Sequence, residues 1–374
     1  GEILSPVSDL RALAAFIERE LESGSDHSAA LPAVDLLDLP RASSPPRTVL
    51  LTGATGFLGR FLRSEWVRRL EPVGGTLICL VRGGRLADPA VEVLAGDLSS
   101  ARFGLSPSDW QRLADRVDLV VHAGALVNHV LPYEQLAGPN VVGTAEVIRL
   151  ATTGTLKPVT YVSTIGVLAG PSQGYASGYT TSKAAAEELL RQAHDAYGLP
   201  VTTIRPGLVL THSREAGQVN VTDILTRLLL SVVATGLAPR TFDGIDTPAH
   251  YGGLPVDFVA RFIADVGDGM APGFETHNVT SPPASLDTYV DWLVEAGHPI
   301  TRIDDYGAWL ERFEAAMRAL PRQQRAHSLL PLLHAFAIPD KPVEVVAVPT
   351  RQAPPVTREL ITKYVTDLQY LGLL

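Results

Sequence analysis

The stretch "TVLLTGATGFLGR", residues 48–60, constrains this chain more than any other. An apolar run breaks into Gly53, Gly56 and Gly59, spaced three apart, and then passes into the amphipathic pattern "FLGRFLRSEWVRRL". A buried strand that turns on glycines straight into a helix brings bare backbone up to a pyrophosphate, and the helix start adds free N–H groups and partial positive charge. The reading is a dinucleotide turn lined by Thr52, Gly53, Thr55, Gly56, Phe57, Leu58 and Gly59.

From Thr48 to about Arg205 the strand-like runs "TVLLT", "TLICLV", "VEVLA", "DLVVHA", "VTYVS" and "VTTIR" alternate with helical patterns. That alternation predicts an α/β fold, a Rossmann-type doubly wound parallel sheet. We expect this domain to span 47–210, followed at 211–374 by a smaller, mostly helical substrate-binding region that lends the sheet a late strand near 277–280. Residues 1–46 read as a helix at 8–22 and a Ser, Ala and Pro-rich linker. Only nine residues separate Val81 from Val91, where parallel neighbours need a crossover of about a dozen. Either the crossover near 85–90 is trimmed or residues are missing there, and the Gly and Ser-rich joint at 169–174 invites the same question.

Composition excludes several functions. With 46% hydrophobic and 19% charged residues the 374-residue chain is globular, and a net charge of -9 argues against a nucleic-acid partner. The most apolar helical stretch, "ILTRLLLSVVATGLA", carries Arg227 and is too short to span a bilayer, so no membrane partner is expected. The single cysteine, Cys79, sits within a strand as a core residue, excludes an internal disulfide and fits a reducing cytoplasm. His122 and His129 stand in "HAGALVNH", but no HExxH or Cys/His cluster appears, so no metal is expected. The chain opens Gly-Glu with no signal pattern, which reads as an excised domain or a tag remnant.

Two features specify the chemistry. An NAD site places an acidic residue at the end of its second strand, whereas here "TLICLVR" ends in Arg82, with Arg85 close by. A guanidinium matches a 2′-phosphate, so the expected cofactor is NADPH. In "GYTTSKAAAEELL", Tyr179 and Lys183 are four apart and share a helix face. The ammonium favours the tyrosinate, so that the phenol can exchange a proton with a carbonyl oxygen during hydride transfer. Tyr175 has no lysine four residues on and fails as a competitor.

The TGxxGxxG spacing, taken with these residues, resembles the extended branch of the short-chain dehydrogenase/reductase superfamily. That resemblance implies that Asp97 and Leu98 after the third strand, and Ala123, Gly124 and Ala125 after the fourth, line the cofactor cleft, with Asn140 and Pro206 as further contacts. It also implies a hydroxyl at the end of "VTYVSTIGV", which assigns Thr164 the catalytic place and Ser163 the position beside it. A closer similarity lies in "ALVNHVLPYEQLAGPNVVGTAEVIRLA", "YTTSKAAAEELL", "AGQVNVTDILTRLLLSVVATGLAP", "DYGAWLERFEAAMRALP" and "KYVTDLQYLGLL". These resemble the C-terminal reductase domain of bacterial carboxylic acid reductases. The resemblance implies NADPH-dependent reduction of a carrier-bound acyl thioester to a free aldehyde. Its partners would be an acyl-phosphopantetheine carrier domain, tethered through 1–46, and an adenylation domain upstream. One departure is Gly207 in "TTIRPGLVLTHS", where that family has Asp; a glycine is expected to free the backbone there and opens the question of a second reduction to alcohol. Other readings are the terminal reductase of a peptide synthetase, a sugar-nucleotide epimerase or dehydratase, and a non-catalytic NADP(H) sensor.

Overall fold

The computed structural model describes residues 40–42, 45–169, 177–242, 252–282, 284–336 and 351–374. The helix expected at 8–22, most of the linker and the joint from 170 lie outside them. In chain order the first elements are β1 (Thr48–Thr52), α1 (Phe57–Leu70), β2 (Thr76–Val81), β3 (Glu92–Ala95), α2 (Pro107–Arg116), β4 (Leu119–His122), α3 (Tyr133–Ala137), α4 (Gly143–Ala151), β5 (Val159–Val162), α5 (Ser177–Tyr197) and β6 (Val201–Pro206). There follow β7 (Leu208–Leu210), α6 (Ile224–Thr235), β8 (Leu237–Pro239), β9 (Gly253–Pro255), α7 (Val256–Val266), β10 (Phe274–Thr280), α8 (Leu286–Glu295) and β11 (Thr301–Ile303). The last are α9 (Tyr306–Ala319), α10 (Arg322–His327), β12 (Arg351–Gln352) and α11 (Arg358–Tyr370).

The main sheet runs in the order β12-β10-β6-β5-β4-β1-β2-β3. β1 lies parallel to β2 on one side and to β4 on the other, so the strand order reverses there and the crevice beyond their C-terminal ends is the expected ligand position. β1 is apolar at Val49, Leu50 and Leu51, all fully buried, as suits an interior strand of a parallel sheet. β2 and β3 are joined by a short connection. β2 and β3 pair in parallel, Ile78 opposite Glu92, and between them a tight turn at Arg82–Gly84 replaces a helix. Gly83 and Gly84 make that turn with φ of 76° and 64°. The late strand is β10, with Val279 opposite Arg351 of β12.

The chain forms two compact units, each discontinuous in sequence: 1–163, 176–204 and 263–276 make the first, and 164–175, 205–262 and 277–374 the second. This interleaving replaces the single boundary expected at 210, because β6 and β10 each begin in the first unit and end in the second. In the first unit, Leu50, Ile78, Val120, Tyr161 and Val201 pack against Trp110, Leu113, Val147 and Leu190. The second centres on an aromatic cluster, where Trp309 stacks on Phe313 at 5.0 Å and meets Phe242 edge-on at 5.7 Å. Its long helix α6 is capped by Asp223, which accepts from Thr226 N at 2.8 Å, and stopped by Gly236 at φ 68°. Among the described residues no helix is long and apolar enough to cross a membrane, and no group of three His, Cys, Asp or Glu is placed to hold a metal ion.

Candidate active site

The turn after β1 is built by close backbone approach. Gly53 adopts φ +76°, and a Cβ there would lie 2.7 Å from Gly124 N and 2.8 Å from Ala123 O. At Gly59, within α1, a Cβ would fall 1.9 Å from Gly53 O. Gly56 N–H closes the turn on Gly53 O at 3.0 Å. The start of α1 has no side-chain cap and no acidic residue in its first turn, so its N–H groups stay open to an anion. Gly56 and Thr55 are exposed, while Phe57 and Leu58 are half-buried beside them. A glycine cradle that side chains would fill and an uncapped helix start both fit a dinucleotide pyrophosphate.

The other residues expected to bind the cofactor follow the C-terminal ends of neighbouring strands. Thr52, buried, accepts from Gly124 N at 2.9 Å, and a Cβ on Gly124 would strike Leu98 at 2.7 Å, so the turns after β1, β3 and β4 lock together. Ala123 and Ala125 flank that glycine, both half-buried. Asp97 uses its carboxylate within its own loop, accepting from Ser99 N at 2.8 Å. Arg82 and Arg85 are exposed beyond β2 and form no ion pair among the described residues.

Tyr179 and Lys183 lie on α5, as their spacing requires. Lys183 is buried; its Nζ donates to Val162 O at 2.8 Å at the end of β5 and sits 4.7 Å from the centre of the Tyr161 ring. Burial drives its pKa down to about 7, against an opposing pull from the Glu187 carboxylate. The Tyr179 ring meets His129 edge-on at 5.5 Å, and burial of its phenol raises that pKa well above the ordinary value. Ser163, buried beside Val162, has a hydroxyl with no hydrogen-bond partner among the described residues, an orphan that a bound ligand can satisfy. Thr164 opens the second unit and accepts from Gly166 N at 3.3 Å.

Asn140 lies in a π-helical segment, Gly138–Val142, between α3 and α4. Its amide holds the loop after β4, accepting from Leu126 N at 2.7 Å and donating to Leu126 O at 3.1 Å, and reaches Ser182 on α5 at 2.9 Å. Among the described residues the side chain of Asn140 is thus spent on protein contacts. Pro206, buried, ends β6 in the second unit. Gly207 corrects one expectation: its N–H is tied to Val279 O at 2.9 Å and its φ is not positive, so this backbone does not need glycine. A Cβ there would meet only Gly252 O and Val279 O, at 3.7 Å, an ordinary contact.

The family model described as male sterility protein, an NAD-binding family, matches residues 51–175 and 169–263, more than half of the chain. A carboxylic acid reductase of Segniliparus rugosus is 44% identical over all of this chain. The isonitrile lipopeptide synthase of Mycobacterium tuberculosis is 44% identical over 90% of it. The crystal structure of the reductase (R) domain of a nonribosomal peptide synthetase from Mycobacterium tuberculosis superposes with a TM-score of 0.79 at 43% identity, covering 91% of this chain and 95% of that one. The chain belongs to this family of NAD-binding reductase (R) domains.

As an R domain it is an oxidoreductase of the extended short-chain dehydrogenase/reductase type, with a nicotinamide cofactor. It spans 39% of the Segniliparus relative's length and 16% of the synthase's, so it corresponds to one domain of multidomain proteins. The first alignment extends over 464 residues against 374 here, so that relative carries residues this R domain lacks. Sequence reasoning missed Gly178 beside Tyr179. A Cβ there would lie 2.5 Å from Leu131 O, so only glycine lets that loop close on α5. It also missed Ser182 and Thr144. Both sat in plain spacing, three residues after Tyr179 and four after Asn140, where a helical hydroxyl can reach back to a carbonyl.

Proposed function

We propose that this R domain uses NADPH to reduce an acyl thioester, held on a phosphopantetheine carrier domain, to a free aldehyde. The observation that carries the reading is Lys183, buried on Val162 O one helical turn from Tyr179, on the same unit as the glycine cradle. When bound, NADPH supplies the hydride. Gly53, Gly56 and Gly59 with the open start of α1 would hold its pyrophosphate, the exposed Arg82 and Arg85 its 2′-phosphate, and Ser163 and Lys183 its nicotinamide end.

Tyr179 donates to the thioester oxygen as negative charge grows on it, and the family resemblance alone assigns the Thr164 hydroxyl a catalytic role. Burial keeps the Tyr179 proton in place until that charge appears, and Lys183, in the protonated form it holds up to a pH of about 7, then stabilises the phenolate left behind. The tetrahedral hemithioacetal breaks its C–S bond, the C=O re-forms, and the pantetheine thiolate leaves and takes a proton. One thioester, one hydride and one proton become one aldehyde and one thiol. A covalent enzyme intermediate is not required, and burial pushes the Cys79 thiol up to about 11, which suits an inert core residue. Residues 1–46 serve as the tether from the carrier, with an adenylation domain upstream, in the cytoplasm. A carrier belonging to a peptide synthetase is the second reading, favoured by the R-domain structure at 43% identity.

The test is NADPH oxidation with acyl-pantetheine and acyl-coenzyme A thioesters, with the product identified. Thioesters should yield aldehyde while free acids yield nothing, since a carboxylate resists hydride. Tyr179→Phe should cut kcat by about a hundredfold with NADPH still bound. Free-acid reduction without ATP, or a Tyr179→Phe variant near full activity, would refute the proposal.

A further inference from the structure

His122 ends β4 fully buried, and sequence reasoning assigned it only a negative, that it binds no metal. Its two ring nitrogens lie between two threonine hydroxyls: Thr52 Oγ1 is 2.8 Å from Nδ1, and Thr144 Oγ1 is 3.1 Å from Nε2. The directions of these bonds follow from their neighbours. Thr144 spends its one hydroxyl proton on Asn140 O, at 2.7 Å, so it can only accept from Nε2–H. Burial holds the ring neutral, with a pKa near 3, which leaves Nδ1 bare to accept the Thr52 proton. Thr52 in turn accepts from Gly124 N–H.

The run continues beyond Asn140. The Asn140 side chain donates to Ser182 Oγ at 2.9 Å, and Ser182 donates to the backbone oxygen of Tyr179 at 2.7 Å. Every side chain in the series, Thr52, His122, Thr144, Asn140 and Ser182, is at most 1% exposed. Each donor has an acceptor, so the arrangement has one self-consistent direction. A buried network satisfied in one way only resists slippage at either end, because any shift strands a polar group away from water.

We propose that His122 is a positioning residue that holds the glycine turn after β1 and the Tyr179 turn of α5 in one register, through this buried run from Gly124 to Tyr179. It rests on the reading of those two turns as cofactor and catalytic sites. The effect of His122 passes through Thr52 on one side and Thr144 on the other.

Thr144→Val keeps the side-chain shape and cuts the run in its middle, while Ser182→Ala cuts it at the far end. Each should raise the NADPH dissociation constant, read by fluorescence titration, and lower kcat by about tenfold, the cost of a stranded buried partner. The double variant decides. If the run acts as a unit, it should be no worse than the poorer single variant, whereas independent sites would multiply their losses. His122→Leu, if it folds, should match or exceed Thr144→Val. Multiplicative losses, or variants that lower only the melting temperature and leave affinity and kcat unchanged, would overturn the proposal. If the unmutated chain turned over no thioester, that would count against the substrate reading alone, and the cycle in NADPH affinity would still decide this one.

Discussion

Replacing Gly59 by alanine puts a methyl group 1.9 Å from Gly53 O, 2.7 Å from Gly53 C and 3.1 Å from Ala54 Cα. All three are backbone atoms, so no side chain can swing aside. Restoring ordinary contact moves α1 away from the turn by about 1.5 Å, which would stretch a hydrogen bond of about 2.9 Å from the helix start past its useful range. Losing one charge-assisted N–H bond to phosphate costs about 1.5–3 kcal/mol, so the NADPH dissociation constant should rise about 10- to 100-fold. Overpacking costs a further 1–3 kcal/mol or so of stability, visible as a lower melting temperature. The assay is fluorescence titration with NADPH beside thermal melts. Gly273→Ala is the control, since nothing lies within 4 Å of its added Cβ and its φ is not positive. A Gly59→Ala protein that bound NADPH within about twofold of the unmutated one would refute the cradle.

Three other outcomes are expected. Arg82→Ala should raise the NADPH KM by about tenfold or more and leave NADH little changed, in steady-state kinetics with both cofactors; equal use of the two by the unmutated protein would refute the pairing. Burial sets Lys183 at about 7 against an ordinary 10.5, so between those values the unfolded chain binds a proton that the folded one lacks, and stability rises with pH. Urea unfolding at pH 7 and 9 should show that rise, smaller in Lys183→Met, where, among the described residues, Lys157, at about 8, still adds to it with the same sign; an equal slope in the two proteins would refute the assignment. Gly207→Asp should fold normally, given the 3.7 Å clearance at its Cβ, and thermal melts should show an unchanged melting temperature; a marked drop would refute the clearance.

The neutral His122 bears on how a charge is kept at the site. Lys183 and His122 repel each other, and that repulsion adds to burial in lowering the histidine pKa. With the imidazole neutral, two threonine hydroxyls satisfy the ring without an ionic partner. An imidazolium here would have to donate at both nitrogens, and the Thr52 hydroxyl would need to turn its proton elsewhere.

What the sequence determined by itself were the features set by local backbone geometry. Tyr179 and Lys183 share a face because a helix has 3.6 residues per turn, and Gly53, Gly56 and Gly59 announce a strand-to-helix turn because only glycine lets backbone meet backbone so closely. Apolar runs alternating with helical patterns led to the parallel sheet for the same reason. Tertiary structure alone decided what lies across the fold. It spends Asn140 on Leu126 and Ser182, and ties His122 between Thr52 and Thr144. It also splits the chain into two interleaved units in place of a cut at 210. Partners separated by 14 to 70 residues are chosen by packing and by the need to satisfy buried polar groups, and no local spacing encodes that choice. Gly207 shows the converse: a glycine read as a source of backbone freedom sits in ordinary backbone with room for a side chain, which only its neighbours Gly252 and Val279 reveal.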